Sequence, residues 1–180
     1  MARLVYAIIL GIVGAGIVHI AILLLIPVFS ERDAWSRIAS VTEPYTIFPL
    51  GRADLSADIL KTADPLFDVA VCQFDLAQGV VRIAAAAKVP FWSLSVFDRR
   101  GRNVYSLNDR TATDGRLDIV VATPVQLIEL RKDMPAGLEK SIFIEADIGE
   151  GMVVLRSFIP DPTWRPSVEA YLASATCEAV

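Results

Sequence analysis

Residues 90–109 read PFWSLSVFDRRGRNVYSLND. Two runs rich in aromatic and β-branched residues flank Asp98-Arg99-Arg100-Gly101-Arg102. Aspartate suits the first position of a type I turn, and Gly101 suits the left-handed position of a three-residue loop closed by a bulge. The spacing predicts a β-hairpin with Val96 opposite Val104 and Trp92 opposite Asn108. Side chains alternate across a strand, so a slip of one residue would exchange the two faces. A local antiparallel pair at mid-chain sets the fold class for everything around it.

Working outward, FDVAVCQF (67–74) and GVVRIAAA (79–86) read as strands parted by a turn at Asp75–Gly79. RLDIVVAT (116–123) is another strand and runs into a well-marked helix. There Thr123 is the N-cap, Pro124 the first helical residue and Gln126 the far half of a capping box, with the end before Pro135. SIFIEADI and GMVVLRSFI, joined by Gly149-Glu150-Gly151, are predicted to form a second hairpin. Pro160, Pro162 and Pro166 break that strand, and Ser167–Ala175 forms a last short helix that returns Cys177 to the body. The strands do not alternate strictly with long helices, which argues against a parallel doubly wound sheet. The expected fold is α+β over residues 67–180: a mainly antiparallel sheet, or a small sandwich, with flanking helices.

The other end of the chain has a different character. Leu4–Phe29 reads LVYAIILGIVGAGIVHIAILLLIPVF, without a charge between Arg3 and Glu31. This exceeds the ~20 apolar residues that cross a bilayer as a helix. The run is longer than a cleavable leader's apolar region and is followed by no good cleavage site, so residues 1–30 are read as a retained signal-anchor. Ala7, Gly11 and Ala15 recur every four residues and are read as a helix-packing stripe that continues to His19, the single histidine, the alternative being small residues of ordinary membrane composition with His19 bonded to a carbonyl or water or lying near the interface. A proton relay through His19 lacks further ionisable groups in the span. Residues 31–66 are read as a juxtamembrane helix from Ser30 to Ile38, an extended connection from Thr42 to Gly51, and a weak helix before Pro65. The short basic start favours the amino terminus in the cytoplasm. The localisation expected is a bacterial inner membrane, crossed once, with the domain in the periplasm.

Hydrophobic residues make up 54% of the chain, a figure the anchor inflates. All 21 Asp/Glu and 16 of the 17 Lys/Arg lie beyond it, a net charge of −5 on a domain-sized remainder. Dispersed negative charge of this kind excludes nucleic acid as a partner. Cys72 and Cys177 form a possible disulfide in an oxidising compartment, the alternative being two buried thiols. With its histidine in the anchor, the domain has no Ser-His-Asp or Cys-His set, no His-containing zinc site and no nucleotide loop. No catalytic residue, metal or cofactor is expected. What remains is the hairpin: Asp98, Arg99, Arg100 and Arg102 at its tip, and Trp92, Tyr105, Asn108, Asp109 and Arg110 as a ligand-binding wall near its base, weighed against a structural ion pair at a strand end.

Three pieces carry a resemblance: Cys72-x-Phe74-Asp75-Leu76, Pro90-Phe91-Trp92-Ser93 with Asp98-Arg99-x-Gly101, and Tyr105-Ser106-x-Asn108-Asp109-Arg110. The block from Phe67 to Ile159 resembles the bacterial domain-of-unknown-function family numbered twelve fifty-four, in the short, membrane-anchored form found in alphaproteobacteria. Longer relatives carry a second domain, numbered twelve fourteen. The resemblance therefore implies a separate membrane-anchored partner protein that supplies this companion domain, and it brings no reaction. The function expected is a membrane-anchored periplasmic interaction or envelope module that is not an enzyme. The alternatives are a small-ligand-binding or sensor domain and a hydrolase completed by a partner.

Overall fold

The structure is a computed structural model and describes residues 2–50, 64 and 66–180. The weak helix read before Pro65 lies outside them. Among the described residues an amino-terminal helix, α1 (Ala2–Ala39), leads into nine strands and two further α-helices. The strands are β1 (Phe48–Pro49), β2 (Phe67–Asp75), β3 (Val81–Ala85), β4 (Trp92–Asp98), β5 (Asn103–Asn108), β6 (Asp118–Ala122), β7 (Ile142–Glu145), β8 (Glu150–Phe158) and β9 (Ala175–Ala179). Helix α2 spans Pro124–Lys132 and α3 spans Arg165–Ala173. The strands form a five-stranded sheet, ordered β1-β2-β8-β4-β5, and a four-stranded sheet, ordered β7-β6-β3-β9. The α+β reading holds, and of the two architectures expected the molecule takes the sandwich.

Most of the core lies between the sheets. Ala70, Cys72 and Phe74 of β2, Trp92, Leu94 and Val96 of β4, and Val153 and Leu155 of β8 meet Val81, Ile83, Ile119, Val121 and Ile144 of the other sheet. Strand β4 shows the alternation that such a sheet demands: Trp92, Leu94, Val96 and Asp98 are buried, and Ser93, Ser95 and Phe97 are half-buried on the outer face. The Cys72–Cys177 disulfide joins β2 in one sheet to β9 in the other across this core.

The β4–β5 hairpin forms with the expected turn. Asp98 N–H donates to Arg102 O at 3.0 Å, Gly101 N–H to Asp98 O at 2.9 Å, and Gly101 has φ 78°. The register differs from expectation. Phe97 faces Asn103, but an irregularity beside it shifts the rest, so Val96 faces Tyr105 and Ser93 faces Asn108. One extra residue in β5 is the cause, as in any β-bulge.

Gly149-Glu150-Gly151 is not a hairpin turn. Strand β7 runs parallel to β6, with Ile119 beside Ile142, while β8 joins the other sheet between β2 and β4. Helix α2, capped as expected through Thr123 and Gln126, carries the chain back over the sheet and delivers β7 in parallel. Gly151 serves close packing instead: a Cβ there would lie 2.5 Å from Phe74 Cζ. The carboxyl-terminal residues also differ from expectation, because α3 ends at Ala173 and β9 then pairs with β3, with Cys177 beside Ile83.

The segments read as an anchor and a juxtamembrane helix are one continuous helix. The helix continues through Pro27, which supplies no N–H donor, and through Ser30. It ends where Ser40 Oγ donates to Arg37 O at 2.7 Å and Thr42 Oγ1 to Ile38 O at 2.9 Å. The connection that follows is clamped to β2. Tyr45, in the left-handed region at φ 59°, donates from its hydroxyl to Asp75 O at 2.7 Å, and Phe48 pairs with Val71.

Candidate functional site

Strand alternation divides the residues expected to line a ligand wall. Trp92 is fully buried, and its Nε1–H donates to Gly115 O at 3.0 Å, so its ring belongs to the core. Tyr105 sits opposite Val96 at the open edge of the sheet and is 44% exposed. Asn108 lies on the outer face beside Ser93, where its Oδ1 accepts from Arg110 N–H at 3.1 Å and closes a turn. Arg110 points outward from that turn, exposed. Asp109 turns inward: its N–H donates to Trp92 O at 3.1 Å, while its buried Oδ1 has no partner. The buried Tyr171 hydroxyl of α3 is likewise unpartnered. Burial, and then the charge of Asp109, hold that phenol above its ordinary pKa. The five residues thus divide between the core, the strand-end turn and the exposed surface.

At the hairpin tip two of the three arginines are in ion pairs. Asp98, 6% exposed, accepts from the N–H groups of Arg100 and Arg102 at 2.9 Å each and from Arg102 Nε at 2.7 Å. Burial alone would raise its pKa, but the hydrogen bonds and charge of Arg102 outweigh it and hold the carboxyl below its ordinary value. Arg99 pairs with Glu150, and its guanidinium lies 6.0 Å from the centre of the Trp35 ring on α1. Trp35 thus packs against the hairpin. The other expected stripe, Ala7, Gly11, Ala15 and His19, is exposed along α1, with no atom within 4 Å of a Cβ placed on Gly11. Among the described residues no three metal-ligating side chains converge.

A better-formed concavity lies where α3 meets the β1–β2 edge. It is a cleft of about 530 Å³, within the size range of small-ligand sites. Pro49, Val69, Pro166 and Ala170 contribute apolar walls, and Asp68, Arg165 and Glu169 the charge. Arg165 Nη1 stands 3.5 Å from Asp68 Oδ1. Burial raises the Asp68 pKa, Arg165 lowers it and Glu169 raises it again, and the balance lies above the ordinary value. A carboxylate held at such a cost inside a cleft is a mark of binding sites. Sequence reading missed all three residues. Asp68 and Arg165 come from opposite ends of the domain, and the only local signal is that Arg165 and Glu169 are one helical turn apart.

The family model described as "Protein of unknown function (DUF1254)" matches residues 62–178. No curated protein matches the chain. Among solved structures, the VPA0106 protein from Vibrio parahaemolyticus is similar at 10% identity with a TM-score of 0.58, over 84% of this chain and 35% of that one. An uncharacterised protein from Burkholderia cenocepacia is similar at 14% identity with a TM-score of 0.50, over 77% of this chain and 35% of that one. At such identities the likeness is one of fold, and the chain spans about a third of the length of the solved proteins it matches. With the family match running from ahead of β2 into β9, the chain belongs to the DUF1254 family.

Proposed function

We propose that this chain is a single-pass membrane protein whose sandwich domain acts as an interaction module on the periplasmic side of a bacterial inner membrane. One observation carries the reading: Ala2–Ile26 is an apolar helix of 25 residues, none of it buried against the protein, in one chain with a folded domain. Left in water, so much exposed apolar surface would drive aggregation; in a bilayer it is the span. The inter-sheet disulfide supports an oxidising compartment, where such bonds persist.

The partner we infer is the companion domain that longer family relatives carry, presented by a second membrane-anchored protein. The solved relatives, nearly three times as long as the part they share with this chain, support a domain that works beside further structure. The Ala7-Gly11-Ala15-His19 stripe gives the helix a face on which another span can pack closely. Two experiments test the reading. A carboxyl-terminal fusion to a reporter enzyme active only after export should be active, and activity only with a cytoplasm-dependent reporter refutes the orientation. Crosslinking in native membranes should capture a second anchored protein, and Gly11→Leu and His19→Leu should reduce the yield. Capture that is absent, or unaffected by both changes, refutes the packing face.

A further inference from the structure

The charges in the cleft beside α3 are of both signs and close together. Arg165 is half-exposed, with its side chain 51% accessible, while that of Asp68 is 18% accessible. Their separation of 3.5 Å is longer than the 2.7–2.9 Å of a charge-assisted hydrogen bond, about 0.6 Å in excess, so neither group is saturated by the other. Glu169 adds a second carboxylate to the same cleft. Among the described residues one guanidinium and two carboxylates line the cleft, with apolar surface from Pro49, Val69 and Ala170 beside them. An anion would gain Arg165 and be repelled by both acids. A simple cation would gain the acids and meet Arg165. A molecule with both charges on neighbouring atoms satisfies all three groups, and an apolar substituent on it would cover the walls.

We infer that this cleft binds a small zwitterion, a free α-amino acid with an aliphatic side chain. Its carboxylate lies on Arg165, its ammonium between Asp68 and Glu169, and its side chain against Val69 and Ala170. This site is separate from the membrane span and does not rest on the partner reading; it can fail while that reading stands, and the reverse.

The test uses the full-length chain in detergent and three probes of one shape: L-leucine, isopentylamine (which lacks the carboxylate) and 4-methylpentanoate (which lacks the ammonium). In calorimetric titration L-leucine should bind, and it should raise the unfolding temperature as its concentration rises, as any ligand of the native state must. Each single-charge probe should bind at least about tenfold more weakly. Arg165→Gln and Glu169→Gln should each weaken L-leucine binding by about tenfold or more. Asp68→Asn should do the same while leaving the unfolding temperature of the ligand-free protein unchanged or higher, which separates lost binding from lost folding. The inference is overturned if L-leucine shows no binding at about 10 mM, if either single-charge probe binds as well, or if the three variants bind it like the parent chain.

Discussion

The two sheets share one core but differ on their outer faces. The four-stranded sheet is covered: Val80, Val120 and Ala122 pack under Leu127 of α2 and Leu138, as a second small core. Strand β6 is consequently buried on both sides from Ile119 to Ala122, which is why its sequence is an unbroken apolar run. The outer face of the five-stranded sheet is mostly open. There Ser93, Ser95, Val154, Arg156 and Ser106 stand in register, and β4 alternates. Among the described residues, cover includes one end, where Thr42 Oγ1 meets Gln73 Oε1 at 2.9 Å and Trp35 meets Arg99, and it extends to Val71 of β2, which is buried. The same backbone architecture thus has one closed face and one more open face, and the more open one is on the side that touches the end of α1.

If the sheets are two layers held to one core, the covalent link between them should matter most. Cys72 and Cys177 are 105 residues apart in sequence. Losing a cross-link that closes so long a loop is expected to cost about 4–5 kcal/mol. Chemical denaturation of a Cys72→Ala, Cys177→Ala double variant should show a midpoint well below that of the parent, with reduced parent protein matching the variant. A midpoint unchanged by either treatment would mean that the core alone holds the layers.

What could be read from sequence follows the same division between local and distant. The turn at Asp98–Arg102 and the Thr123–Gln126 cap were legible because each is completed within four residues. The β7–β8 connection was not. Two glycines around Glu150 resemble a turn, yet whether β8 pairs with β7 or inserts between β2 and β4 is decided by strands far away in sequence. Strand β9 was hidden for a related reason: ATCEA has few β-branched residues, and its pairing with β3 is supplied by the fold. The cleft is the extreme case, since Asp68 and Arg165 meet only when α3 packs on β2.

One substitution made on both outer faces sharpens the contrast. Val120→Thr puts a hydroxyl into the closed interior under α2 and is expected to cost about 1–3 kcal/mol. Val154→Thr, at a half-buried position between the buried Val71 and the half-buried Ser95, is expected to change stability by less than about 0.5 kcal/mol. Equal costs, measured by denaturant titration, would mean that the five-stranded sheet is covered in solution by something more than the end of α1.

Acid titration compares the polar fastenings of the two sheets. Asp98 holds the hairpin tip of one; Asp118 pairs with Arg82 at 2.9 Å and accepts from Ser141 at 2.8 Å, fastening the α2–β7 loop of the other. For both carboxyls burial acts to raise the pKa and is outweighed by these bonds, so both lie below the ordinary value. A carboxyl depressed in the folded state contributes stability above its unfolded value, and loses it as pH falls through the folded one. Stability should therefore fall below about pH 4. Asp98→Asn and Asp118→Asn should each be less stable than the parent at pH 7 and show a shallower fall in acid.

The smallest effect is expected where the shared core is polar. Tyr171 is 1% exposed, and its hydroxyl finds no partner although the unpartnered Asp109 Oδ1 is near enough to influence it. A buried hydroxyl without a hydrogen bond destabilises the fold. Tyr171→Phe keeps the ring and removes that oxygen, so unfolding should be unchanged or stabilised by up to about 1 kcal/mol. A loss of more than about 1 kcal/mol would show instead that a water joins Tyr171 to Asp109, since deleting the hydroxyl would then break a satisfied buried network. The interior between the sheets would in that case be held by a polar bridge as well as by apolar contact, and the contrast between the faces would extend to the layer they share.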